Sequence, residues 1–152
     1  WVGDQGVTGE EAVEIARTLK NHGCDLIDVS AGQTTPNAKP VYGRMFQTPF
    51  SEQIRNEARI PSITVGNITT ADQVNTIIAA GRADLVALAR PHLANPHFTL
   101  EASAWYGHKA QRWPIQYDPA KEQAMRLAQR KKSEADELRK ATAPSSHRNA
   151  DA

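Results

Sequence analysis

Three short apolar runs, each preceded by a stretch of helical periodicity, limit what this chain can fold into more than any other feature. Residues 26–32 (Leu26, Ile27, Asp28, Val29, Ser30, Ala31, Gly32), 62–66 and 85–90 have the length and composition of strands closed by turn residues. Ahead of the first, Thr8 and Glu11 stand at capping-box spacing. Ala12, Val13, Ile15, Ala16 and Leu19 then recur at helical intervals, and Gly23 supplies a left-handed stop. Ahead of the second, Thr48 is placed to cap a helix over residues 49–58, with Phe50, Ile54 and Ala58 on its inner face. Ahead of the third, Thr69 or Thr70 caps a helix running to Ala80, with Val74, Ile77 and Ile78 inward and Gly81 at its end. Helix and strand alternating in this way predict parallel strands joined by helical crossovers, an α/β fold.

Three parallel strands with two open edges do not make a stable sheet. A doubly wound domain would supply five or more. A (β/α)8 TIM barrel spends roughly 30 residues per unit and about 250 in all, and strand onsets near 26, 62 and 85 suit that spacing once the long loop over 33–47 is allowed for. The chain begins on Trp1 rather than Met. The expectation is therefore a partial barrel over residues 1–117, the last three units, with the other part of the barrel upstream. No G-x-G-x-x-G follows a strand, and Gly3, Gly6 and Gly9 lie before the first helix without the lysine of a P-loop. Beyond the third strand, Asn95 and Pro96 can open a helix reaching Tyr106. Residues 108–119 then form an extended segment, with Trp105, Tyr106, Trp113 and Tyr117 as anchors. Residues 118–141 form a polar, charged helix with a weak apolar stripe (Met125, Leu127, Leu138), and 142–152 a disordered tail.

Composition removes several function classes. Lys and Arg total 18 against 17 acidic residues, a net charge of +1, without the basic excess that phosphate-backbone binding leaves, so nucleic acid is not expected as a partner. No apolar stretch can span a bilayer, and no basic leader precedes a long apolar run. The single cysteine, Cys24, excludes an internal disulfide and suits a reducing, cytoplasmic setting, where it reads as a small packed residue. The five histidines are scattered and no Cys/His cluster has metal spacing, so no metal site is expected. His92 and His97 read as structural or solvent-facing, and Lys131 with Lys132 as a solvated face.

Asp28 and Ser30 share one face of the first strand, opposite Ile27, Val29 and Ala31. Polar residues facing inward near the C-terminal end of a barrel strand are where such folds build active sites; Asp28 reads rather as a buried structural acid, while Ser30 suits either role. The loops after the second and third strands carry Gly66–Asn67 and Ala89–Arg90. In phosphate-binding barrels the corresponding loops make the anion site. Gly66 would admit close backbone approach, the Ala89 and Arg90 amides could donate to phosphate oxygens, and the Arg90 guanidinium could add a charge-assisted pair. Pro91 is expected to keep Arg90 out of helical geometry. The plainer alternative makes Gly66 a packing residue and Arg90 a surface cation. On the long loop, Tyr42, Arg44 and Phe46 either line a substrate channel or pack on one another.

Several of these stretches, in order, resemble the C-terminal signature of the old yellow enzyme family: residues 25–32, Gln47-Thr48-Pro49-Phe50, Val65-Gly66-Asn67-Ile68, residues 81–86, Leu88-Ala89-Arg90-Pro91 and Gln116-Tyr117. Residues 30–34 and 39–50 are, more narrowly, similar to the reductase-like part of bifunctional salicylyl-CoA 5-hydroxylases and anthraniloyl-CoA monooxygenases. The resemblance covers about residues 1–117 and implies a (β/α)8 barrel holding FMN, with NAD(P)H as reductant. It makes Gly66, Asn67, Ala89 and Arg90 contacts to the cofactor, mainly at its phosphate, although the family often has glycine where Ala89 stands. It places Ser30 and Gly32 near the flavin or substrate edge, and Tyr42 and Arg44 beside a small-molecule substrate such as an aromatic acyl-CoA. The family's substrate-binding His pair, or His/Asn pair, and its flavin-ring partners match no position in this chain and are expected upstream, so the catalytic residues are not assigned here.

The expected function is thus the C-terminal part of a flavin-dependent oxidoreductase, contributing phosphate anchorage, inactive as a segment alone and compatible with a homo-oligomer. Two rivals are a barrel isomerase or lyase acting on a phosphorylated substrate, and a non-catalytic interaction module built on the charged helical tail.

Overall fold

The computed structural model describes residues 5–32 and 34–142. The opening loop over 1–4, Gln33 and the tail from 143 onward lie outside the described residues. Two compact units divide between Pro96 and His97.

In the first unit the order is α1 (Gly9–Asn21), β1 (Ile27–Val29), α2 (Thr48–Gln53) running into a π-helical turn (Ile54–Ala58), β2 (Ser62–Thr64), α3 (Ala71–Ala79), β3 (Leu85–Val86) and α4 (Arg90–Ala94). The strands form one parallel sheet in the order β1-β2-β3, with Val29, Thr64 and Val86 in one cross-strand row and Asp28, Ile63 and Leu85 in the next. All three strands are shorter than their apolar runs. β3 keeps two residues because only β2 pairs with it, although the Ala87 amide still bonds Thr64 O at 2.8 Å.

Local chemistry explains the helix ends. Thr8 and Glu11 form the full capping box of α1, and Thr70, rather than Thr69, forms one with Gln73 at α3. Gly23 and Gly81 take positive φ after α1 and α3. Thr48 is not a cap: it is fully buried inside α2, whose N-cap position is taken by Gln47. The helix then widens into a π-turn and stops at Arg59, which adopts a left-handed φ of 54°. Carbonyls freed there are taken up by α1: Arg17 Nη2 donates to Glu57 O at 3.0 Å and Lys20 Nζ to Arg59 O at 2.6 Å.

Two apolar clusters hold the helices to one face of the sheet. Val13, Ala16, Val29, Ile54, Ala58 and Ile60 make the first, with Cys24 packed against it; Ile68, Ile77 and Ala83 make the second. Ile78 lies on the exposed side of α3, contrary to expectation, because only Ile77 and Val74 turn toward β3. Between α2 and β2 the contact is polar: Thr64 Oγ1 donates to Thr48 Oγ1 (3.2 Å) and Ser62 Oγ to Ser51 O (3.2 Å), while within α2 Ser51 Oγ donates to Thr48 O (2.9 Å), with all four residues buried. The opposite sheet face carries no helix in this unit. Asp28 is exposed there rather than buried, and Leu85 is 53% exposed.

A bidentate ion pair ties the turn after α3 to the π-turn. Arg55 Nε and Nη2 reach the two Asp84 oxygens at 3.0 and 3.1 Å, Arg55 Nη1 donates to Gly81 O (3.0 Å), and Asp84 also accepts from the Ser62 amide (3.0 Å). The hydrogen bond from Arg55 holds the Asp84 carboxyl below the usual carboxylate range, against the opposing effect of partial burial; the Ser62 amide assists.

In the second unit α5 (Phe98–Trp105) packs on α6 (Asp118–Thr142), whose Ala128 is buried. The helix expected to open at Asn95–Pro96 starts instead at Phe98, with His97 as N-cap. Residues 108–117 end in a turn closed by Tyr117 N to Pro114 O (2.8 Å) rather than running extended to 119. Lys132 is no purely solvated cation. Its Nζ lies 5.1 Å from the Trp105 ring centroid and 5.7 Å from that of Tyr106, a cation–π contact. His97 packs edge-on to Tyr117 at 4.8 Å. No helix among the described residues is long and apolar enough to cross a membrane.

Candidate functional site at the strand mouths

The C-terminal ends of three adjacent parallel strands open on one side of the sheet, where α/β folds place their ligands. The long loop returns to this side, and its last residues are bound to the β2 mouth. Met45 N donates to Asn67 O (3.3 Å) and Asn67 Nδ2 to Gly43 O (3.0 Å), with Met45 and Asn67 both at positive φ. Asn67, expected as a cofactor contact, uses its side-chain amide to hold this loop.

Gln47 is the residue that residue-level reading missed. It is buried at the entry to α2. Its Oε1 accepts from Ala31 N at 2.5 Å, past the end of β1, and its Nε2 donates to Val65 O at 2.9 Å, past the end of β2. One primary amide thereby bridges two strand mouths. The available signal was its position: a lone amide between a long loop and a Thr-Pro helix start.

Gly66 follows directly. Its φ is +113°, and a Cβ there would stand 2.5 Å from Gln47 Nε2 and 2.8 Å from Phe46 Cε1. The glycine therefore has an internal reason, the space taken by Phe46 and Gln47, in addition to any ligand approach. One strand over, Ala89 and Arg90 are exposed. Arg90 is the first residue of α4, so Pro91 does not exclude it from the helix; proline in the first turn forfeits only an amide that has no intrahelical partner. Among the described residues the Arg90 guanidinium pairs with no carboxylate.

Ser30 and Gly32 fall on a different surface. With Asp28, Ile15, Phe50 and Gln53 they line a groove of about 670 Å³ between α1 and the outer edge of β1. That groove does not include Gly66, Asn67, Ala89 or Arg90. Tyr42 and Phe46 meet edge to face at 5.3 Å, so the loop does pack on its own aromatics, while Tyr42 stays 58% exposed and Arg44 exposed beside it. Cys24 donates to Leu26 O at 3.3 Å. No group of three or more His, Cys, Asp or Glu among the described residues could hold a metal ion.

A glycine turn and a guanidinium that pairs with no carboxylate among the described residues occupy neighbouring strand ends, an arrangement that could take an anion, and the long loop is bonded to the same Gly66–Asn67 turn.

Comparison with known proteins supplies the remaining evidence. Residues 2–105 match the model of the NADH:flavin oxidoreductase / NADH oxidase family. An NADPH dehydrogenase of Geobacillus thermodenitrificans (strain NG80-2) is 41% identical over 113 residues, covering 74% of this chain and 33% of the relative. A second, from Geobacillus sp. (strain WCH70), is 44% identical over 103 residues, 68% of this chain and 30% of the relative. A third, from Clostridium acetobutylicum, is 40% identical over 101 residues, 66% of this chain and 29% of the relative. The chain thus spans about a third of the length of these curated relatives.

Proposed function

Because the chain belongs to the NADH:flavin oxidoreductase / NADH oxidase family, we propose that its first unit supplies three consecutive strand–helix units of an FMN-holding (β/α)8 barrel. The observation that carries this reading is the sheet itself: three parallel strands in sequence order, helices on one face only, and mouths that converge on one side. In a barrel the helix-free face, with Asp28, Ile63 and Leu85, turns inward.

Within that enzyme the chain's part is binding rather than bond-making. Gly66, Asn67, Ala89 and Arg90 border the FMN phosphate, with backbone amides and the Arg90 guanidinium facing its oxygens. FMN held there would supply hydride transfer between a nicotinamide reductant, NADPH by the name of the relatives, and a small-molecule acceptor. The exposed ring of Tyr42 and guanidinium of Arg44 support an acceptor that is both aromatic and anionic, such as an aromatic acyl-CoA. A free Cys24 supports a reducing, cytoplasmic setting.

The test is a flavin titration of the family-length polypeptide carrying this segment, with and without Arg90→Ala. Losing a charge-assisted hydrogen bond costs about 1.5–3 kcal/mol, so FMN binding weakens roughly tenfold to a hundredfold. Riboflavin, which lacks the phosphate, binds equally to both proteins. An unchanged FMN affinity, or equal losses for FMN and riboflavin, removes Arg90 from the phosphate site.

A further inference from the structure

We propose that Gln47 is a positioning residue of the flavin site, a buried amide clasp that sets the distance between the β1 and β2 mouths. The inference rests on the flavin reading above for its functional consequence; the clasp itself rests on geometry alone. Ala31 lies between Ser30 and Gly32, and Val65 immediately precedes Gly66. By taking the amide of the first and the carbonyl of the second, Gln47 joins the groove beside β1 to the Gly66–Asn67 turn.

Three further observations define how the clasp works. Gln47 is 6% exposed and its two partners, Ala31 and Val65, are half-buried, so its hydrogen bonds are partly shielded from competing water. It occupies the N-cap position of α2, and Thr48 and Ser51 just after it are bonded to Thr64 and Ser62 of β2, which fixes the start of the helix against that strand. Its Nε2 also fills the space that a side chain at position 66 would need. An open Gly66 and a placed Gln47 are therefore one device. The task requires a group that both donates and accepts at the same tip, which a primary amide does and a carboxylate does not.

That requirement gives a distinctive test. In Gln47→Glu the ionised side chain still accepts from Ala31 N but sets an oxygen against Val65 O. Protonated, it restores both bonds, with its hydroxyl donating to Val65 O. Burial disfavours the charged form, so the change occurs above the ordinary Glu range of about 4.3. In the family-length protein, FMN affinity of the variant relative to wild type at the same pH falls roughly tenfold to a hundredfold at about pH 8. It returns to within about threefold of wild type near pH 5.5 as the carboxyl protonates. Taking the ratio at each pH removes the titration of the FMN phosphate itself, whose second pKa lies near about 6.

Gln47→Met, similar in volume and without the hydrogen bonds, weakens FMN binding by the same factor at both pH values and keeps the measurement available if the glutamate variant does not fold when ionised. Hydrogen exchange at the Ala31 amide, compared with wild type at each pH, reads the clasp without flavin. A pH-independent affinity ratio in Gln47→Glu, or wild-type FMN affinity in Gln47→Met, overturns the proposal. Protected exchange at Ala31 in a wild type that binds no FMN would leave the clasp in place and refute the flavin reading instead.

Discussion

Asp84 performs two jobs that substitution can separate. It forms the bidentate pair with Arg55 and it accepts the amide of Ser62, a residue with no solvent exposure. Asp84→Asn keeps an acceptor for the amide and removes the charge. The Arg55 and Asp84 side chains are 33% and 35% exposed, so solvent screens the pair well below the 3–5 kcal/mol of a fully buried one, and a loss of about 1 kcal/mol is expected. Asp84→Ala also strands the Ser62 amide, adding about 1–3 kcal/mol. Urea unfolding of wild type, Asp84→Asn and Asp84→Ala should therefore give a graded series, with the second step at least as large as the first. The pH dependence follows from the depressed carboxyl: a folded-state pKa below the unfolded value of about 3.9 means the pair's contribution is fully present above that value. It is lost as pH falls through the folded pKa, so the gap between wild type and Asp84→Asn closes in acid. Equal costs for Asn and Ala at neutral pH, or a gap that does not narrow as pH falls below the unfolded value of about 3.9, would refute this division of labour.

Two other perturbations have clear expectations. Ile77→Ala, at a position with no exposure in the smaller apolar cluster, should cost about 2–5 kcal/mol in the same unfolding assay; a loss below about 1 kcal/mol would mean that Val74 and Val86 collapse into the gap. Gly66→Ala meets a positive φ, the Gln47 amide and the Phe46 ring, so it should lower the melting temperature, and by less when it is made in a Gln47→Ala background than in wild type. A cost of zero in that background would show that neither φ nor Phe46 imposes strain there.

What short-range chemistry governs, the sequence displays. Both capping boxes need partners three residues apart, and both glycine stops need one residue each, so the helices ahead of β1 and β3 are legible. Strand ends were not, because residues 87–90 continue the apolar run after the ladder has ended, and pairing depends on β2 rather than on β3's own composition. Thr48 illustrates the same limit: a threonine before proline has the look of a cap, and only the buried hydroxyl of Thr64 shows that it faces inward. Gln47 and the Arg55–Asp84 pair depend on partners 16 to 29 residues away, and no local pattern encodes those.

The hydroxyl contact between α2 and β2 bears on how this unit finds its alignment. Apolar side chains tolerate sliding, since one methyl group substitutes for another. Directional bonds from Thr64 Oγ1 to Thr48 Oγ1 and from Ser62 Oγ to Ser51 O form together in a single alignment of helix on strand. A shift by one residue would break them together and leave buried hydroxyls without partners. The seam thus acts as an index mark, trading some apolar burial for an unambiguous address, and the placement of Gln47 one residue before it inherits that accuracy.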